Sequence, residues 1–140
     1  FYYLNVTPLF AGIDLGWLGG AGLARDEVRK VSHMALAEAL ENPEDFRVFF
    51  AWNTNPLASA PEQARLRAAL NRSNLFTVCC DLFMTDTARH ADIVLPAASF
   101  LEYDDITFSY FHLLMGAQSK AAEPLGEALP NAEIFRRLAR

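Results

Sequence analysis

Apolar residues along this chain change period several times, and each change marks an element. From about Arg25 to Glu41, Val28, Val31, Ala35, Leu36, Ala39 and Leu40 recur at helical spacing with charges opposite them, and Asn42-Pro43 stops the run. That spacing predicts an amphipathic helix. His33 falls inside it and reads as a solvated side chain, because no second ligand or base accompanies it. Residues 46–52 are aromatic and β-branched, bounded by acids before and by Asn53-Thr54-Asn55-Pro56 after, the signature of a strand. Ser59-Ala60-Pro61-Glu62 has capping-box spacing and predicts a helix to about Arg72, apolar at Leu66, Ala69 and Leu70. Residues 75–80 show no alternation of polarity beyond Thr77, as in a strand covered on both faces of a parallel sheet. Strand, helix and strand from Phe46 to Cys80 form a βαβ unit, expected to cross over right-handedly.

Beyond Cys80 the pattern shortens. Asp81 follows the strand directly, Thr85, Asp86 and Thr87 offer hydroxyls and an N-cap for a short helix through about Ala91, and Ile93-Val94-Leu95 predicts one more strand, stopped by Pro96. The acids Glu102, Asp104 and Asp105 read as a solvated turn ahead of a metal or acid/base site, since no second acidic cluster accompanies them. Ile106 to Met115 could be a strand pair or a loop over the sheet. A turn over residues 123–127 leads to a final helix through Ile134, Phe135 and Leu138, with Asn131 as its expected cap. At the other end, Gly16, Gly19, Gly20 and Gly22 miss the GxGxxG spacing and predict a flexible or packing loop.

Composition narrows the classes. A chain of 140 residues, 52% hydrophobic and 21% charged, holds about one globular domain and can build a core. No run approaches the roughly 18 uninterrupted apolar residues of a membrane helix, and the apolar opening lacks the basic start of a secretion signal. A net charge of −5 disfavours nucleic acid and anionic lipid. An anionic small ligand would then be held by backbone amides and helix ends. The two cysteines, Cys79 and Cys80, are adjacent, so a strand would point them to opposite faces as core thiols. With no Cys or His cluster elsewhere, this stretch holds no iron–sulfur cluster or zinc by itself. A start at Phe1 and a stop at Arg140 inside an apparent helix suggest a piece of a longer protein.

Candidate chemistry gathers where the two strands of the βαβ unit end. Ligands of open α/β sheets collect at the carboxyl ends of strands, and a βαβ unit brings the exit loops of its strands to one edge. One loop carries Asn53 and Asn55, which tolerate left-handed backbone, with Pro56 stiffening it. The other begins with Asp81. Taken singly, the first is an Asx turn and the second a solvated or capping acid. Together they suit a purine nucleotide: a carboxylate can meet the paired N–H donors of a guanine edge, and an amide-rich loop at a helix start favours a diphosphate.

From residue 46 to Arg140 the chain resembles the molybdopterin oxidoreductases of the dimethyl sulfoxide reductase and formate dehydrogenase type. The resemblance rests on an apolar strand running into Asn55-Pro56, a helix of the PEQARLRAAL kind, the long run DLFMTDTARHADIVLPAASFLE, and the tail EPLGEALPNAEIFRRLA. It implies an α/β, Rossmann-like three-layer domain with a mostly parallel sheet over residues 46–140, preceded by a lead-in loop and helix over 1–45. It also implies that this domain anchors the guanosine diphosphate end of a molybdopterin guanine dinucleotide carrying molybdenum or tungsten. By the same likeness, Asn53, Asn55 and Pro56 form the phosphate and ribose loop, Asp81 reads guanine, and Thr85 and Thr87 give polar support. Asp86 stands where the family commonly has Glu, and Asp104-Asp105 replaces a stretch that often carries glycine. The iron–sulfur cluster region, the metal-ligating residue and a C-terminal barrel belong to other domains of such a chain, with an electron-transfer subunit as a further partner. The stretch alone would have no turnover. Two other readings remain: the related pterin-free domain of a respiratory complex's large iron–sulfur subunit, and an independent nucleotide-binding module.

Overall fold

A computed structural model describes residues 12, 14–18, 20–23, 28–109 and 112–140. Near the start, Asp14 accepts a hydrogen bond from the Trp17 amide at 2.9 Å and opens a one-turn helix, α1 (Leu15–Leu18). A 3-10 turn over Ala21–Leu23 follows, entered through Gly20 at φ 69°, which glycine adopts without a Cβ clash. The glycine-rich opening is thus short helical turns where it is described.

The expected helix over 25–41 begins late. Residues 24–27 lie outside those described, Val28 to Val31 are non-helical, and Ser32 accepts from the Met34 amide with an extended ψ of 140°. That cap starts a 3-10 turn (His33–Ala35) running into α2 (Leu36–Glu41). A serine oxygen that satisfies an early amide outcompetes extension back through β-branched Val28 and Val31.

Three strands form one parallel sheet, β1 (Val48–Trp52), β2 (Phe76–Asp81) and β3 (Ile93–Pro96), in spatial order β1-β2-β3. The register pairs Trp52 with Cys80 and Asp81 with Pro96, so the strands end together. Between β1 and β2 lie α3 (Pro56–Ser59) and α4 (Gln63–Leu70). The capping box is not formed: Ser59 is the last residue of α3, and its hydroxyl donates to the Asn55 carbonyl at 3.0 Å. The short helix after Pro56 moves the chain reversal to Glu62, which sits at φ 55° as the N-cap of α4 without a side-chain cap bond and pairs with Arg65. The helix also stops at Leu70, with Asn71 as its C-cap.

The adjacent cysteines do face opposite ways. Cys79 packs with Ala51 and Ala88 on the side where α2, α3 and α4 bury Leu40, Leu57, Leu66 and Leu70 against Phe49. Cys80 packs with Phe50 and Leu95 against Ile134 of α5 (Asn131–Leu138). The result is an α/β arrangement with helices on both faces of a parallel sheet. Each fully buried leucine contributes about 1.5–3 kcal/mol of transfer free energy to it. Asn131 is not the cap of α5: Pro130, with ψ 142°, holds that position, and Asn131 is the first helical residue, its Oδ1 3.7 Å from the Cys80 thiol. At φ −56° and ψ 142° Pro130 lies outside the helical region, which makes Asn131 the first residue inside.

Two further strands, β4 (Asp105–Ser109) and β5 (His112–Gln118), pair antiparallel as a separate two-stranded sheet. The strand-pair alternative is therefore the one adopted. Among the described residues, no helix is long and apolar enough to cross a membrane.

Candidate functional site

The carboxyl ends of β1 and β2 are bonded to one another. Asn53, in left-handed backbone at φ 50°, donates its amide to the Cys80 carbonyl at 3.0 Å, which continues the strand pairing into the loops. Two residues on, Asn55 Oδ1 accepts from both the Thr87 amide (3.2 Å) and the Thr87 hydroxyl (2.8 Å). The same hydroxyl accepts from the Leu57 amide at 3.1 Å. Pro56 at the first position of α3 has no N–H, and Leu57 would carry a buried orphan donor without this bond. Thr87, fully buried, caps α3 from the other loop. Its role is to hold the two loops together.

This arrangement corrects one expectation. The start of α3 has no free amide for a diphosphate, because Leu57 donates to Thr87 while Ala58 and Ser59 both donate to the Asn55 carbonyl. What the loop does leave is side-chain amide. With Asn55 Oδ1 turned to Thr87, its Nδ2 points the other way as a donor, and the exposed Asn53 side chain adds a second. Pro56 is buried and shapes the loop.

Asp81 ends β2 on the same rim, half-buried. Its carbonyl accepts from the Ala97 amide at 3.1 Å and its Oδ1 from the Phe83 amide at 3.2 Å, while no described residue donates to its other carboxylate oxygen. Leu82, Phe83 and Met84 beside it are exposed. Thr85 Oγ1 accepts from the Ala88 amide at 3.2 Å just ahead of a 3-10 turn over Ala88–His90, whose N-cap position is held by Thr87 without a side-chain cap bond. Thr85 also hydrogen-bonds Cys79. Burial, with smaller pushes from the Asp81 carboxylate and Cys80, raises the Cys79 thiol above its ordinary pKa, and the Thr85 bond opposes this. Burial and Asp81 raise Cys80 likewise. Both remain protonated and unreactive.

The structure thus brings Asn53, Asn55, Pro56, Asp81, Thr85 and Thr87 to one rim, with Pro56 and Thr87 turned inward. Two contributors escaped the sequence reading, and a third, Glu102, reads there only as part of a solvated turn. Asp92 Oδ2 accepts from the Thr77 amide at 2.7 Å and locks the entry of β3 onto β2. His90 bridges to α4. Glu102 accepts from the Ser99 amide at 2.7 Å and the Leu125 amide at 3.0 Å, bonds that hold its carboxyl below the usual range, the Ser99 bond foremost. Asp104 likewise accepts from the Lys120 amide at 2.7 Å and Asp105 from the Ile106 amide at 2.8 Å. The acidic triplet is a set of loop clamps. Among the described residues, no group of three His, Cys, Asp or Glu side chains could hold a metal ion. A groove of ≈ 390 Å³ between β3 and α5, lined by Val94, Leu129 and Leu138, contains none of the rim residues.

Comparison with known proteins gives the fold a family. A family profile described as molybdopterin oxidoreductase matches residues 10–140, reaching well before residue 46. The chain is 46% identical over 100 residues to the probable oxidoreductase YoaE of Bacillus subtilis, covering 71% of this chain and 15% of that protein. It is 31% identical over 136 residues to the F420-dependent formate dehydrogenase subunit alpha of Methanocaldococcus jannaschii, covering 96% and 20%. Among solved structures, acetylene hydratase from Pelobacter acetylenicus superimposes with a TM-score of 0.64 at 31% identity, covering 76% of this chain and 15% of that one. The chain therefore spans a fifth or less of the length of these relatives. With a family profile over nearly its whole length and a matching fold, the chain belongs to the molybdopterin oxidoreductase family.

Proposed function

We propose that these residues form the domain of a molybdopterin-dependent oxidoreductase that anchors the guanosine diphosphate end of a pterin guanine dinucleotide. The observation that carries this reading is the shared rim: Asn53 bonds to Cys80 and Asn55 to Thr87, which keeps the loop of the two asparagines and the Asp81 carboxylate at one edge of the sheet. The donor set suits the group. A carboxylate accepts the paired N–H groups of guanine, and amide nitrogens donate to phosphate or ribose oxygens. The bound metal and pterin would supply two-electron redox chemistry at a distance from this rim, with an iron–sulfur cluster and an electron-transfer partner elsewhere in the whole protein. Here the chain's own residues bind and orient. Asp81 selects the base, Asn53 and Asn55 hold the polar tail, and Thr85 and Thr87 keep the loops in place.

The test uses the full-length protein. Asp81→Ala should lower guanine nucleotide and molybdenum or tungsten recovered per chain by about tenfold, the scale of a charge-assisted hydrogen-bond pair. Unchanged recovery of both would reject Asp81 as the base reader. A second reading, the pterin-free domain of a respiratory complex's large iron–sulfur subunit, draws support from the α3 amides that are all internally bonded. Absence of pterin, guanine and metal from the purified full-length wild type would favour it.

A further inference from the structure

A single imidazole joins helix α4 to the loop that follows β2. His90 is half-buried at the end of the 3-10 turn, with Nε2 2.8 Å from a guanidinium nitrogen of Arg67 and Nδ1 2.9 Å from Asn71 Oδ1. A guanidinium can only donate, so Nε2 accepts, and the one ring proton of neutral histidine sits on Nδ1 and donates to Asn71. No other neutral tautomer satisfies both contacts. Arg67 and Asn71 stand four residues apart on one helical face, tied by the Asn71 amide donating to the Arg67 carbonyl at 3.2 Å. The ring is therefore held at two points by one rigid element.

From the ring the bonds continue toward the rim. The His90 amide donates to the Thr87 carbonyl at 3.0 Å, and the Arg89 amide to the Thr85 carbonyl at 3.0 Å. Thr87 in turn bonds Asn55 and Leu57. One bonded path thus runs from α4 through His90 and Thr87 to Asn55, and the loop between Asp81 and His90 hangs from its two ends. The tip of that loop, Leu82 to Met84, is exposed and packs on little, so its far anchor decides how freely it moves.

We propose that Arg67, His90 and Asn71 form a positioning strut that fixes the 82–91 loop and thereby sets how long a nucleotide stays bound at the adjoining rim. The second half of this inference rests on the function proposed above; the first half does not. None of the three residues needs to touch the ligand.

In the full-length protein, hydrogen exchange of residues 82–91, guanine nucleotide retained through repeated gel filtration, and the melting temperature are measured for His90→Phe, His90→Gln and Arg67→Met. His90→Phe keeps a ring without nitrogens, and His90→Gln keeps an acceptor for Arg67. The expected result is about tenfold faster exchange in 82–91 and about tenfold faster nucleotide loss for His90→Phe and Arg67→Met, with His90→Gln closer to wild type. Exchange within β2 and the melting temperature should stay near wild type, which a general loss of structure would not allow. Should His90→Phe fail to fold, Arg67→Met and His90→Gln carry the same comparison. Unchanged exchange in 82–91 overturns the strut whatever the nucleotide does. Faster exchange with wild-type retention, in a protein that Asp81→Ala does empty, overturns its link to the site. Wild-type retention in Asp81→Ala instead rejects the nucleotide reading, and the strut is then decided by exchange alone.

Discussion

The loops at the carboxyl ends of β1 and β2 hold one another through residues 30 and 32 positions apart, whereas β4 and β5 pair with partners close by in the chain. In the first region the polar groups that meet are buried or half-buried, and Thr87 satisfies an amide that the first turn of α3 leaves unpaired. In the second, Ile106 is 63% and Met115 50% exposed, although both are apolar strand residues. A lone two-stranded sheet is marginal in water, and among the described residues no buried cluster includes a residue of β4 or β5. The contrast teaches that precision at the rim comes from non-local hydrogen bonds that exclude water, not from secondary structure itself. It also separates a region whose shape is over-determined from one held by strand pairing and a few clamps at its base.

The contrast can be broken most directly at Thr87. Thr87→Val is nearly isosteric yet leaves the Leu57 amide and Asn55 Oδ1 without a hydroxyl partner, so it should cost about 1–3 kcal/mol. Urea unfolding of the wild type and variant reads this as a lowered midpoint with an unchanged slope. A cost below about 0.5 kcal/mol would mean that water replaces the hydroxyl, and the rim would be no better determined than the hairpin.

A smaller, pH-dependent effect belongs to Glu102, which clamps the segments at the base of the hairpin. Its folded-state pKa lies below the usual carboxylate range because backbone amides, the Ser99 amide foremost, donate to it. A depressed carboxylate contributes stability that is complete above its unfolded pKa and lost as pH falls through the folded one. The stability difference between wild type and Glu102→Gln should therefore be largest near neutral pH and shrink below about pH 4. A difference that grew on acidification would contradict the clamp. The smallest effect is expected at Ile106. Ile106→Thr in these 140 residues should change stability by less than about 0.5 kcal/mol, by the same urea measurement. A loss above about 1 kcal/mol would show the hairpin to be packed against something after all.

Much of this was legible from residue order. An apolar, β-branched run with no alternation identified β2 as a covered strand, two adjacent cysteines had to point to opposite faces, and Asp81 and Asn55 had to lie on one rim because parallel strands end together. These follow from local geometry, whose periods of two and 3.6 are set by the backbone. The long motif from Asp81 to Glu102 also pointed to the family that the comparisons establish.

Partner choice was decided only in three dimensions. The sequence spacing offered Ser59 to Glu62 as a capping box, but α3 had already closed over Pro56–Ser59, and a capping residue cannot serve a helix whose start has moved. Asn55 and Thr87 both read as ligand groups until folding turned them toward each other, and His90, which no sequence pattern singled out, gained its part when α4 brought Arg67 and Asn71 alongside. A side chain's type states what it can donate or accept; which group it meets depends on how distant segments pack, and no local pattern encodes that.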